Sequence, residues 1–185
     1  MAHYFGSGVV GGVEVKFSRF LAMPNSETFS IKPISELLGR YIRPDDVVVD
    51  PFARNSKRGT ITNDLNPQTS AEFHMDANDF CFMLRYNGCK ADVGLFDPPY
   101  SPRQVKERYE LFGIKVEQSD TQSGRYNTAK DELAMMIKPN GLFITCGWST
   151  YGAGVECRFQ IEEIMIVSHG GGHNDTIITV ERKHE

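Results

Sequence analysis

Little in this chain of 185 residues advertises a use. Four cysteines (Cys81, Cys89, Cys146 and Cys157) show no C-x-x-C spacing. That is no disulfide density for this length, so they read as the reduced thiols of a cytosolic protein. No G-x-x-x-x-G-K is present, which argues against a kinase or ATPase. No apolar run approaches the roughly 20 residues of a membrane span. The first residues carry no basic stretch, and Gly6, Gly8, Gly11 and Gly12 break up their apolar ones, unlike a secretion signal. Positive charge is short too: 20 Lys and Arg against 24 Asp and Glu leave −4, so nothing global draws the chain to nucleic acid. Such binding would need a local basic patch. Repeats, low-complexity tracts and linkers are also missing. What remains, with 40% hydrophobic and 24% charged residues, is an ordinary globular composition, and the expectation is one domain over residues 1–185, in the cytoplasm and with no membrane partner.

The pattern that is present alternates short apolar runs with helical periods. Val9, Val13, Val15 and Phe17 suggest extended structure around a Gly11-Gly12 turn. Residues 33–42 predict a helix, with Pro33 in its first turn and Ile34, Leu37, Leu38 and Tyr41 at helical spacing; Pro44 ends it. Val47 to Asp50 is β-branched throughout and predicts a buried strand. Residues 60–64 predict a second strand, residues 72–76 a short third, and residues 77–86 a helix. An apolar strand then runs into Asp97. Residues 102–114 read as helical, 117–127 as a polar loop and candidate lid, 130–137 as a helix, 139–141 as a turn, and 142–146 as a further buried strand. Residues 159–167 and 176–181 predict an antiparallel hairpin. Strands alternating with helices and closed by a hairpin mean an α/β fold, a mostly parallel sheet with an antiparallel end.

Four of these strands end in a carboxylate: Asp50, Asp64, Asp76 and Asp97. One such acid is ordinary turn chemistry. Four in succession would line one sheet edge with acceptors, at the carboxyl ends where open α/β sheets bind ligands. The edge suits a nucleoside, with ribose hydroxyls and amines to donate. Asp97-Pro98-Pro99-Tyr100 carries the most chemistry. Asp97 can accept from an exocyclic amine, the prolines fix φ and hold neighbouring carbonyls toward a ligand, and Tyr100 offers a stacking face.

On these residues the chain resembles the S-adenosylmethionine-dependent amino-methyltransferases, specifically the DNA adenine-N6 type. The resemblance covers roughly residues 29–181, with residues 1–28 as an N-terminal extension. Asp97, Pro98, Pro99 and Tyr100 match the family's catalytic D-P-P-Y. Asp50, Pro51, Phe52 and Ala53 match the start of its cofactor loop, D-P-F-A-G-S-G. Asp64, Leu65 and Asn66 match the position that takes the cofactor ribose, and Asp76 and Ala77 the one near its adenine. Phe29 and Lys32 fall on the segment and helix that cover the methionine end. The resemblance implies a Rossmann-like class I methyltransferase sheet, S-adenosylmethionine as cofactor, DNA as partner and methyl transfer to adenine N6. Guanine N2 in RNA and cytosine N4 in DNA are neighbouring acceptors. Compact proteins of this kind occur in phages, which would put the chain in a host cytoplasm.

The chain departs from that pattern twice. Arg54 and Ser56 replace the two loop glycines; Arg54 could fold away, pair the methionine carboxylate, or mark weakened binding. No segment is long enough to be a target-recognition domain, which implies relaxed specificity, single-stranded DNA, or a helper protein. Two basic trios flank the pocket motifs as candidate phosphate contacts: Arg54, Lys57 and Arg58, and Arg103, Lys106 and Arg108. A solvated charged face explains either equally well. Two other readings stay open: a degenerate, non-catalytic partner subunit, and an enzyme that consumes S-adenosylmethionine without a nucleic-acid acceptor. His169 and His173 bracket glycines rather than a helix turn and offer no third ligand, so no metal is expected. Trp148 either walls the base pocket or packs in the core. Cys146 reads as core, and Glu162 and Glu163 as solvent-side strand residues.

Overall fold

The structure is a computed structural model that describes residues 2–10, 12–99 and 124–185. Eight strands form one sheet: β1 (Ala2–Val10), β2 (Val13–Leu21), β3 (Val48–Asp50), β4 (Ile61–Thr62), β5 (Ala91–Phe96), β6 (Ile137–Gly147), β7 (Phe159–Ser168) and β8 (Thr176–Lys183). Their order across the sheet is β1-β2-β7-β8-β6-β5-β3-β4. The pairs β2–β7, β3–β4, β3–β5 and β5–β6 are parallel, while β1–β2, β6–β8 and β7–β8 are antiparallel. From β3 the chain moves outward to β4, then returns to place β5 on the other side of β3. That reversal opens a crevice at the carboxyl ends of β3 and β5, the switch point where such sheets take ligands.

Alternation along the strands feeds two cores. Val48, Leu95 and Ile144 face helix α1 (Lys32–Tyr41), which buries Ile34, Leu37 and Leu38. Their neighbours Val49, Phe96 and Phe143 face α2 (Ala77–Tyr86) and α3 (Asn127–Met136). Successive side chains on a strand point to opposite faces, so strands covered on both faces read as unbroken apolar runs. Asp76 starts α2 by accepting from Asn78 N at 2.8 Å, which satisfies one of the first-turn amides.

Three expectations are corrected. Residues 139–141 do not interrupt the chain as a turn but form a bulge inside β6. Ala91 pairs with Ile137 and Val93 with Leu142, so β6 spends five steps where β5 spends two. Asn140 takes φ 64° there, and a Cβ on Gly141 would meet the Asp92 carbonyl oxygen at 2.7 Å, so only glycine fits. Residues 72–76 supply a single bridge, Asn63 with Phe73. The Asn63 side chain replaces the rest of the ladder, donating to Pro51 O and Met75 O and accepting from Met75 N. Glu163 is no solvent-side residue. It is buried, takes two bonds from the Arg40 guanidinium at 2.7 and 3.2 Å, and accepts from Tyr41 Oη at 2.9 Å. Glu162, one residue on, is partly buried and pairs with Arg182. The extended structure expected from Val9 to Phe17 is there as the β1–β2 hairpin, and the pairing of β2 with β7 adds it to the sheet. The helix expected at 102–114 and residues 117–123 of the polar loop lie outside the described residues.

Candidate functional site

Register brings the acids together. Val48 and Val49 pair with Val93 and Gly94, so β3 and β5 end side by side, in Asp50 and Asp97. Asp50 is fully buried, accepting from Phe52 N at 3.0 Å through one carboxylate oxygen, while the other, Oδ2, has no hydrogen-bond partner. Burial pushes its acid up to about 8, helped by the charges of Asp97 and Asp64 and opposed by the Phe52 amide. Asp64 leaves the end of β4 in an Asx turn, accepting from Asn66 N at 2.9 Å. Cys146 is buried on β6, and burial together with Asp97 and Asp50 pushes its thiol well up. It belongs to the core.

A cleft of about 1110 Å³ opens over this edge. One wall is the stretch from Phe52 to Arg58, another the segment from Pro24 to Ile31, and the floor is Asp97, Pro98 and Pro99. Gly147, Trp148, His169, His173, Asn174 and Thr176 close its far end. Phe29 is buried along the segment wall. Lys32 stands apart, its side chain 87% exposed and facing Glu36. Arg54 adopts φ 51°, where the resembling family has glycine, and folds away from the cleft floor. Its guanidinium donates to Ser26 O at 2.6 Å and faces Glu27 at 3.6 Å, tying the two walls together. Arg58 donates to Ser35 Oγ at 2.5 Å and Lys57 is exposed. Tyr100, Arg103, Lys106 and Arg108 lie outside the described residues.

Pro51, Asp64, Leu65, Asp76 and Ala77 fall on the other side of Phe52 and Pro99, around a second cavity of only about 20 Å³. Tyr126 closes it. Its ring meets Phe52 edge-on at 5.0 Å, and Phe52 meets Phe96 at 5.4 Å. Arg125, next in line, faces Asp76 at 3.4 Å, and Asn78 fastens the strap by donating to Arg125 O and accepting from Ala129 N. No local pattern signals this closure, because Asn78 fastens Arg125 and Ala129 through contacts 47 to 51 residues apart.

Trp148 is half exposed on the cleft, so the core reading of this residue is wrong. His169 is buried, with Nδ1 at 2.8 Å from Ala22 O and Nε2 at 2.8 Å from the Thr176 hydroxyl. A carbonyl can only accept, so Nδ1 carries the proton and Nε2 accepts from Thr176. Among the described residues no group of three or more His, Cys, Asp or Glu is arranged to hold a metal. No described helix is long and apolar enough to cross a membrane.

No family model matches the chain, and no curated protein matches it in sequence. Solved structures do. SMU.776, a candidate methyltransferase complexed with SAH, superposes with a TM-score of 0.58 at 10% identity, over 96% of this chain and 56% of its own. NSun6 from Pyrococcus horikoshii with SFG gives 0.54 at 16%, over 82% of this chain and 50% of its own. A candidate rRNA-methylase from Clostridium thermocellum gives 0.51 at 10%, over 82% of this chain and 96% of its own. The chain thus spans about half the length of the first two. What it shares with all three is the fold, and that fold is the Rossmann-like methyltransferase sheet.

Proposed function

We propose that the chain transfers a methyl group from S-adenosylmethionine to an exocyclic amine of a nucleobase, adenine N6 in DNA. The observation that carries this reading is one cleft at the switch point of a methyltransferase sheet, with Asp97-Pro98-Pro99 as its floor and the Phe52–Arg58 loop as its wall. The residues fit the cofactor. Asp64 would take a ribose diol and Asp76 an adenine amine, and Asp50 Oδ2, buried and lining neither cavity, would reach an ammonium group only once the Phe52 loop shifts. Room for the adenosine is the one thing lacking: about 20 Å³ holds roughly one water. Tyr126 and Arg125 must move aside on binding.

Bound S-adenosylmethionine supplies a methyl group made electrophilic by its sulfonium. The chain supplies position. Asp97 and the Pro98 carbonyl accept the two amine hydrogens, which leaves the nitrogen lone pair free to point at the methyl. Neither proline has an N–H to compete for those acceptors. As the N–C bond forms and the methyl's bond to sulfur breaks, its electron pair staying on sulfur, Asp97 would hold the growing positive charge on the amine and take, or pass to water, the proton the amine gives up. Orientation and preorganised charge account for such catalysis without a covalent enzyme intermediate. The base must leave its stack to enter, which costs least on single-stranded DNA.

The test is the fate of labelled S-adenosylmethionine with purified protein, with and without DNA or RNA. N6-methyladenine should form only with DNA, and Asp97→Ala should lower the rate by at least about 10²-fold. Label lost without nucleic acid would overturn this acceptor. A second reading, a non-catalytic binding subunit, draws on the closed adenosine side and on Arg54. Failure to bind S-adenosylmethionine at millimolar concentration would favour it.

A further inference from the structure

The motifs account for one end of the cleft. Its volume, about 1110 Å³, exceeds the roughly 300–1,000 Å³ that a single small ligand usually fills, so it has room for a second group. The far end has no assigned role. Phe96 pairs with Thr145, so Gly147 and Trp148 leave β6 alongside Pro98 and Pro99. Gly147 also pairs with Ile177 at the start of β8, which brings the β7–β8 turn to the same edge. Trp148 thus lines the cleft beside the prolines, with half its surface in water. A large flat side chain with half its surface in water on the lining of a deep cleft offers a planar face to whatever binds there.

The turn beside it is built to hold a shape. His169 locks its base, bonded to Ala22 O on one side and to Thr176 on the other, and Ala22 N donates back to Ser168 O at 3.1 Å. Ala22 directly follows β2, so the N-terminal hairpin buttresses this end of the cleft. Beyond His169, His173 N donates to Gly170 O at 3.2 Å, and His173 and Asn174 stand exposed on the cleft wall. A side-chain amide offers a donor and an acceptor side by side, which is what the edge of adenine accepts and donates.

We propose that Trp148 and the β7–β8 turn form the acceptor subsite, Trp148 as a stacking wall beside Pro98-Pro99 and Asn174 as the group that reads the base edge. This rests on the nucleobase-amine reading above and assigns its acceptor end. Stacking tolerates any base, whereas Asn174 favours adenine. His169 is a positioning residue that holds Asn174 in reach.

Trp148 is the chain's one tryptophan, so its emission reports the subsite alone. Single-stranded DNA with one adenine is titrated into the protein in the presence of S-adenosylhomocysteine. Emission should quench saturably, and an oligonucleotide with an abasic site in place of the adenine should not quench it. In steady-state methylation Trp148→Ala should lower kcat/KM about 5- to 150-fold, and Trp148→Phe should recover most of it, which separates a lost ring from a lost fold. Asn174→Ala should raise KM for adenine-containing DNA with little change in kcat. If the wild-type chain methylates adenine while Trp148→Ala matches it and emission does not respond, the subsite is elsewhere and the activity stands. If no DNA is methylated yet adenine still quenches, the subsite stands and the activity falls. If neither occurs, both are overturned.

Discussion

Asp50 is buried at the end of β3, and burial sets its acidity. Its acid lies near 8 because burial disfavours the carboxylate, against an ordinary value of 3.8. The sign follows from that rise. Below about pH 4 the residue is protonated folded or unfolded, and between 4 and 8 the folded chain keeps a proton that the unfolded chain releases. Stability is therefore lost as pH rises through this window, by at most about 6 kcal/mol at 1.36 kcal/mol per unit. Asp50→Asn keeps an acceptor for Phe52 N and removes the titration. Its melting temperature should fall less than the wild type's between pH 5 and 8, while affinity for S-adenosylmethionine drops. Parallel melting curves across that range would contradict the assignment. Arg54 poses a different problem, since φ 51° costs a non-glycine residue about 1–2 kcal/mol. The bonds to Ser26 and Glu27 offset that cost. Arg54→Gly loses the bonds and relieves the strain, so stability should change by less than about 1 kcal/mol. Arg54→Ala loses the bonds and keeps the strain, and should be less stable than Arg54→Gly by about 1 kcal/mol in urea unfolding. The reverse order would mean the strain is not real.

At the scale of elements, what was legible was local. The helix at 77–86 follows from Asp76 as a cap and from Phe80, Cys81 and Leu84 on one face. The strand into Asp97 follows from an apolar run stopped by two prolines. What was not legible depends on partners far along the chain. Nothing in residues 13–21 says that β2 will lie parallel to β7, some 147 residues later. Glu163 reads as polar and outward because the residues that pay for its burial, Arg40 and Tyr41, are on α1. The same Glu163 carboxylate, after burial itself, pushes the Tyr41 phenol up. In the site, the acid-ended strands were readable one by one, but the closure by Tyr126 and the cleft end at Trp148 were not, because both are products of register. The Glu163 clamp ties α1 to the β7 side of the sheet. Arg40→Ala leaves a buried carboxylate with only a phenol, and should cost about 1–3 kcal/mol in unfolding free energy, discounted because Arg40 is half exposed. Arg40→Ala with Glu163→Gln should be more stable than Arg40→Ala alone, since the double variant removes the orphaned charge. A cleaner bracket lies at Glu181, which is buried and accepts from Ala153 N and Gly154 N, so that a Cβ on Gly152 would collide with its carboxylate. It pins the loop that follows Trp148.

For the molecule as a whole, the question is how a chain of net charge −4 would hold a polyanion. Its attraction has to be local, and the described basic residues near the cleft are not equivalent. Arg54 is spent on Ser26 and Glu27, Arg58 donates to Ser35, and Lys57 is exposed on the same loop. If the DNA strand passes over that loop on its way to Trp148, Lys57 is the residue to meet a phosphate. Each phosphate neutralised on a single strand contributes about −0.7 to the slope of log K against log salt. Lys57→Ala should therefore flatten the slope for single-stranded DNA by about 0.7, measured by anisotropy between 50 and 200 mM salt. Arg54→Ala, whose charge is already paired, should change that slope much less. This ordering separates a phosphate contact from a merely solvated basic face, for which both variants leave the slope alone. Equal flattening by both would mean that Arg54 leaves Glu27 when DNA arrives, and that the tie between the cleft walls opens on binding.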